Sequence, residues 1–120
     1  MVKDNAVKDK SYQFALKIVT LYKYLTTQKN EYVLSKQLLR SGTSIGANVE
    51  EALSSQSKKE FIAKLNISLK EARETSYWLR LLKESGYIQK GDLIEKSEEL
   101  SKILTSIIIS TKGNIKNLNS

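Results

Sequence analysis

The sequence contains no cysteine, no histidine and no proline, and only five of its 120 residues are glycine. Without cysteine the chain cannot form disulfides. Without cysteine and histidine it also lacks the thiolate and imidazole ligands of most zinc and iron sites. Since proline is absent and glycine is scarce, few residues interrupt a helix. These absences favour an all-α fold and predict no metal or other cofactor.

Long apolar segments are lacking too. No purely apolar run is longer than three residues, the length of Ile107 to Ile109, far shorter than the roughly 20 residues that span a bilayer. The first residues, MVKDNAVKDKSYQF, contain no apolar core of a signal peptide. We therefore expect a cytoplasmic protein that does not contact a membrane.

Charge is the compositional feature that bears on function. The net charge is +7, and the basic residues are spread along the chain rather than gathered in a tail. A basic protein of this kind can bind nucleic acid. Alternatively, the lysines only keep helix surfaces hydrated. The length predicts a single domain over residues 1–120.

Apolar residues recur at helical spacing in four segments. Asn30 is a candidate N-cap for the second helix, Ser57 with Glu60 forms a capping box for the third, and Asp92 is a candidate N-cap for the fourth. Gly86 is suited to end the third helix. We predict helices over about 5–28, 31–55, 58–85 and 92–117. Four long helices with short turns predict an antiparallel up-down four-helix bundle.

The predicted second helix contains an unusual segment, LLRSGTSIGANVEE, over residues 38–51. Gly42 and Gly46 each cost roughly 1 kcal/mol relative to alanine in a helix. They indicate either close approach of a neighbouring helix or a local kink. Buried polar groups need partners, and Arg40 needs a carboxylate, across helices or between subunits. The residues predicted to have structural polar roles are Arg40, Ser41, Ser44, Asn48, Glu51, Glu71 and Glu74.

The predicted third helix has two apolar faces, although a bundle helix needs only one. Leu65, Leu69 and Leu79 lie on the face expected to meet the core. A second stripe lies on the opposite side, where a monomer would leave it in water, and this predicts a contact between subunits. The contact would be heterologous and would close into a ring or extend as a filament. The predicted interface residues are Ile67, Tyr77, Trp78 and Leu81.

No residue pattern indicates catalysis. A di-iron bundle requires Glu-x-x-His pairs, which a chain without histidine cannot supply. A serine nucleophile requires an activating base, and no spacing singles one out. The two glycines of the second helix do not form a phosphate loop, because no strand precedes them and no Lys-Ser or Lys-Thr follows. We expect no catalytic residue and no small-molecule substrate.

Two segments resemble the signature of a known family. They are LRSGTSIGANVEEA at residues 39–52 and KEARETSYWL at residues 70–79, the latter preceded by Phe61-Ile62. Both are similar to blocks of the four-helix-bundle protein family, also called the 23S rRNA intervening-sequence proteins. The resemblance extends from about Tyr12 to Ile107. This chain has Gly46 where many members carry proline.

The resemblance implies an up-down four-helix bundle that assembles into a homopentameric ring. Some members of the family are encoded within insertions in large-subunit rRNA genes. A related accessory protein of diversity-generating retroelements is a basic pentamer that works with a reverse transcriptase and nucleic acid. The family brings no established catalytic activity.

Composition and resemblance together predict a non-enzymatic, basic homo-oligomer that binds RNA or DNA non-specifically through the phosphate backbone. The alternative is a protein-interaction scaffold or accessory subunit without nucleic-acid contact. The residues predicted to contact nucleic acid are Lys58, Lys59, Lys64, Lys70, Arg73, Arg80 and Lys83.

Overall fold

Four α-helices account for most of residues 2–119, the part of the chain that the computed structural model describes, with side chains described for residues 5–113. The helices are α1 (Val2–Thr27), α2 (Leu34–Leu53), α3 (Lys58–Glu84) and α4 (Asp92–Asn119). Residues 2–119 contain no strand. The prediction of an all-α fold with four helices is confirmed.

Each helix packs against the next one in the chain, and α1 also packs against α4. Two cross-helix hydrogen bonds give the relative direction of α2 and α3. Thr75 bonds to Ser41, whereas Ser68, about two turns earlier, bonds to the carbonyl of Ile45 further along α2. Moving forward along α2 therefore means moving backward along α3, so the two helices are antiparallel.

The core lies along the axis of this arrangement and takes side chains from all four helices. Ile18, Ile45, Leu79 and Leu104, one from each helix, are fully buried. Burying a side chain of this size stabilises the fold by about 1.5–3 kcal/mol. The apolar face that the sequence predicts for each helix is the face that is buried. The reason is that the 3.6-residue periodicity places its residues on one side of the helix.

Close approach, not a kink, explains the two glycines of α2. The helix is continuous from Leu34 to Leu53. A Cβ atom at Gly42 would lie 2.8 Å from Cγ2 of Ile18, and one at Gly46 would lie 3.4 Å from the backbone carbonyl of Ser11. Both partners are on α1, so the missing side chains allow α1 to pack directly on the α2 backbone.

The start of α2 differs from the prediction. The helix begins at Leu34 rather than near residue 31, and Asn30 adopts a left-handed conformation with φ of 51° instead of capping it. The cap is the nearly buried carboxylate of Glu31. It accepts hydrogen bonds from the backbone N–H groups of Val33, Leu34 and Ser35, at 3.1, 2.5 and 3.0 Å. A carboxylate there satisfies otherwise unpaired donors at the positive end of the helix dipole.

Both ends of α3 follow the local signals in the sequence. The Ser57 side chain accepts a hydrogen bond from the N–H of Glu60, as a capping serine does. At the other end Gly86 has φ of +89°, and the N–H of Tyr87 donates to the carbonyl of Leu82 at 2.9 Å. This is a Schellman arrangement, with Gly86 ending the helix as predicted.

The start of α4 is shifted by one residue. The carbonyl of Gly91 accepts the first helical hydrogen bond, from the N–H of Glu95. Gly91 therefore holds the N-cap position, and Asp92, predicted to be the cap, is the first helical residue. Its carboxylate still lies in the first turn, where negative charge is favourable.

Candidate interaction surfaces on helix α3

Arg40 of α2 joins two carboxylates of α3. Its Nη1 lies 3.1 Å from Oε2 of Glu71, and its Nη2 lies 2.6 Å from Oε1 of Glu74. The hydrogen bond from Arg40 holds the pKa of Glu74 below its usual value, and Glu74 in turn raises the pKa of Arg40. Of the two arrangements that the sequence left open, the structure contains the one within a single chain.

A second ion pair links α2 and α3 further along. Nζ of Lys64 lies 3.3 Å from Oε2 of Glu51. Lys64, predicted to contact nucleic acid, is thus engaged by a carboxylate of its own chain. The carboxylates of Glu51, Glu71 and Glu74 thus all form ion pairs along the α2–α3 seam, and Arg40 is shared by two of them.

The remaining predicted polar residues of α2 have partners in the same chain. Ser41 is buried, and its hydroxyl lies 2.9 Å from that of Thr75. Ser44 donates to the carbonyl of Arg40 at 2.5 Å, and Asn48 donates to the carbonyl of Ser44 at 2.9 Å. The sequence singles out Ser41 but not its partner Thr75, because pairing depends on how α2 and α3 are aligned.

Three side chains of the predicted subunit interface are exposed. Ile67, Tyr77 and Leu81 expose 44%, 50% and 37% of their surfaces. Trp78 differs from the expectation that a monomer would leave it in water: it is half-buried, packs against the core, and places its indole N–H 3.4 Å from Glu74. The rings of Tyr77 and Trp78 meet edge to face at 5.1 Å. We call these four residues the α3 outer patch.

The predicted nucleic-acid residues other than Lys64 form no ion pair with the carboxylates of residues 5–113. They are exposed and lie along the whole length of α3, at its first turn, its middle and its last turn. These six residues are Lys58, Lys59, Lys70, Arg73, Arg80 and Lys83.

Two of these cations flank an open groove between α3 and α4. Arg73 and Arg80 line it from α3, and Ser101, Lys102 and Glu98 line it from α4. We call it the α3/α4 groove. The sequence does not single out Lys102 or Glu98, because their proximity to the arginines depends on the alignment of α3 with α4. The only available signal was the spacing of residues 98, 101 and 102, which places them on neighbouring positions of one helix surface.

Two further features of the described residues concern metals and membranes. No group of three or more acidic side chains is arranged to hold a metal ion. No described helix is both long and apolar enough to cross a membrane.

These features define a bundle of four α-helices with ionic links between neighbouring helices and a basic, partly apolar surface on α3. Its family follows from the sequence comparison. The chain belongs to the 23S rRNA-intervening sequence protein family, whose model matches residues 3–107. The resemblance noted in the sequence is thereby confirmed.

A solved structure has the same fold. It is a crystal structure of a protein of unknown function from the S23 ribosomal protein family of Bacteroides thetaiotaomicron, 56% identical in sequence with a TM-score of 0.87. The match covers 88% of this chain and 97% of the other. Comparison with curated proteins gives no match.

Proposed function

We propose that this protein is a non-enzymatic, basic helical bundle that associates with copies of itself and binds RNA or DNA through the phosphate backbone, without sequence preference. The observation that supports this most is the distribution of ion pairs. Glu51, Glu71 and Glu74 along the α2–α3 seam form ion pairs with Arg40 and Lys64, whereas six other cations of α3 form no ion pair with a carboxylate of residues 5–113. Unpaired cations on one helix form the positive field that attracts phosphates.

Self-association is the second part of the proposal. The α3 outer patch exposes apolar surface from Ile67, Tyr77 and Leu81, and covering it with another subunit would remove that surface from water. The facing surface would differ from the patch, so the assembly would close into a ring or extend as a filament. A five-membered ring is what the family resemblance implies. Association would also bring the positive fields of several chains together.

The test is a salt titration of binding to labelled random-sequence RNA and DNA, followed by fluorescence anisotropy. We expect weak binding to both polymers near 50 mM salt, with log Kobs falling linearly against log salt concentration. Lys58→Glu with Lys59→Glu should weaken it, because both exposed cations would be reversed. Wild-type protein that binds neither polymer at about 50 mM salt would contradict the proposal.

An alternative function is a protein-interaction scaffold, and the exposed α3 outer patch is the observation that favours it. A scaffold that uses this patch would bind its partner mainly through apolar contact, so its affinity would depend little on salt. Absence of nucleic-acid binding together with stable self-association would favour the scaffold.

A further inference from the structure

Arginine is rare in this chain, with three residues against seventeen lysines, so the location of each one is informative. Arg40 is occupied by Glu71 and Glu74. The other two, Arg73 and Arg80, both line the α3/α4 groove. The planar guanidinium group can bind a phosphate through two parallel hydrogen bonds, which a lysine cannot do.

The arginines form a row suited to a polymer. Arg73 and Arg80 are seven residues apart on one helix, so they lie on the same side with their backbones separated by about 10 Å along the axis. That separation favours contact with different phosphates rather than with one. Lys102 lines the facing wall on α4 and adds a third cation.

The α4 wall carries small hydroxyl residues here. Ser101 and Thr105 line a depression that adjoins the groove at Arg73 and Lys102. Both hydroxyls donate to carbonyls of their own helix, at 3.1 and 2.8 Å. Since these protons are already engaged, the cations are the main hydrogen-bond donors available to a phosphate in this part of the groove.

One carboxylate opposes anion binding here. Glu98 lines the groove with Arg80, and no cation of residues 5–113 forms an ion pair with it. It would repel a phosphate placed between the two walls. Removing this charge by substitution should therefore increase the binding of nucleic acid.

We infer that the α3/α4 groove is the surface of this protein that holds the nucleic-acid backbone, with Arg73 and Arg80 on one wall and Lys102 on the other contacting separate phosphates. This inference rests on the proposed function and names the site at which it operates. Bases would face away from the groove, consistent with binding that does not depend on sequence.

The experiment compares two double variants with the same loss of charge. Arg73→Gln with Arg80→Gln removes the arginines of the groove, whereas Lys23→Gln with Lys36→Gln removes exposed lysines of α1 and α2. On single-stranded RNA, each lost phosphate contact should reduce the slope of log Kobs against log salt by about 0.7, so the groove variant should lose about 1.4. The lysine variant should keep the wild-type slope. Circular dichroism checks that helicity is retained.

Glu98→Gln is the complementary variant, and it tests the groove even if the double variant fails to fold. It should raise affinity at low salt, because it removes the one negative charge among the groove cations. Lys102→Gln should lower affinity and slope like a single arginine change. Repeating the titrations with duplex RNA shows whether the groove accepts one strand or two.

The outcomes separate the inference from the proposed function. Equal losses of slope in both double variants, or an unchanged affinity for Glu98→Gln, would overturn the groove as the site while leaving a diffuse binding surface. Absence of binding by the wild-type protein would overturn the proposed function itself.

Discussion

A Cβ atom at Gly42 of α2 would lie 2.8 Å from Cγ2 of the fully buried Ile18 on α1. Real side chains do not approach so closely, so α1 and α2 can pack as they do only because position 42 lacks a side chain. The β-branched Ile18 is stiff at χ1 and surrounded by core residues, which limits how far it can move.

Gly42→Ala is therefore predicted to destabilise the fold although alanine favours helix. Overpacking costs about 1–3 kcal/mol, and the gain in helix propensity offsets about 1 kcal/mol of it. Urea denaturation measures the change in unfolding free energy. In the background of Ile18→Ala, which removes the contacting atoms, the cost of Gly42→Ala should fall. Equal costs in both backgrounds would mean that the contact with Ile18 is not what disfavours a side chain at position 42.

Glu31→Gln is predicted to lower the unfolding free energy by about 1–2 kcal/mol, as loss of a helix cap does. The Glu31 carboxylate accepts three backbone hydrogen bonds at the start of α2, and an amide retains one acceptor oxygen without charge. Glu50→Gln is the matched control, since Glu50 is exposed near the other end of the same helix. If both variants unfold at the same urea concentration as the parent, the cap contributes no stability.

The Arg40–Glu74 ion pair predicts a dependence of stability on pH. Because Arg40 lowers the pKa of Glu74 from 4.5, the folded state holds this proton less tightly than the unfolded state does. The stabilisation is thus fully present above pH 4.5 and is lost as pH falls through the lowered pKa.

Arg40→Gln should consequently reduce the unfolding free energy at pH 7 by up to about 1 kcal/mol, a value limited by the partial exposure of the pair. The difference from the parent should shrink as pH falls below 4.5. Denaturation of both proteins between pH 7 and pH 3 measures this difference in unfolding free energy. A difference that stays constant over this range would show that Arg40 acts through packing rather than charge.

The α3 outer patch predicts an effect on assembly. Ile67→Glu would place a charge in the proposed subunit contact and should yield smaller species by light scattering, with far-ultraviolet helicity unchanged, because Ile67 is 44% exposed within one subunit. Ile109→Glu is the control, since Ile109 is 64% exposed on α4. A parent protein that runs as a 13.6 kDa monomer at micromolar concentration would contradict self-association.

Trp78 is a less suitable position for that test than the sequence alone indicates. Its ring packs against the core of its own subunit, so Trp78→Glu would change folding as well as assembly. The helical pattern places Trp78 on the same stripe as Ile67. How much of the indole is covered by its own subunit depends on the packing of the helices, which is a tertiary property.

Local signals in the sequence were sufficient for the helices and for some of their ends. The capping by Ser57 and the left-handed Gly86 depend on residues within a few positions of each other. The apolar stripes depend only on helical geometry, which the 3.6-residue period contains. For the same reason the all-α fold could be predicted without any knowledge of how the helices meet.

Relations between helices were decided by the tertiary structure. The sequence shows that Gly42 and Gly46 need an explanation and that Arg40 needs a carboxylate. Only the packing of α1 on α2 selects close approach over a kink, and only the register of α2 with α3 brings Glu71 and Glu74 to Arg40 in the same chain. The α3/α4 groove likewise exists because two helices align Arg73 and Arg80 with Lys102. Periodicity specifies which side of a helix a residue occupies, but the distance to another helix depends on the simultaneous packing of every buried side chain.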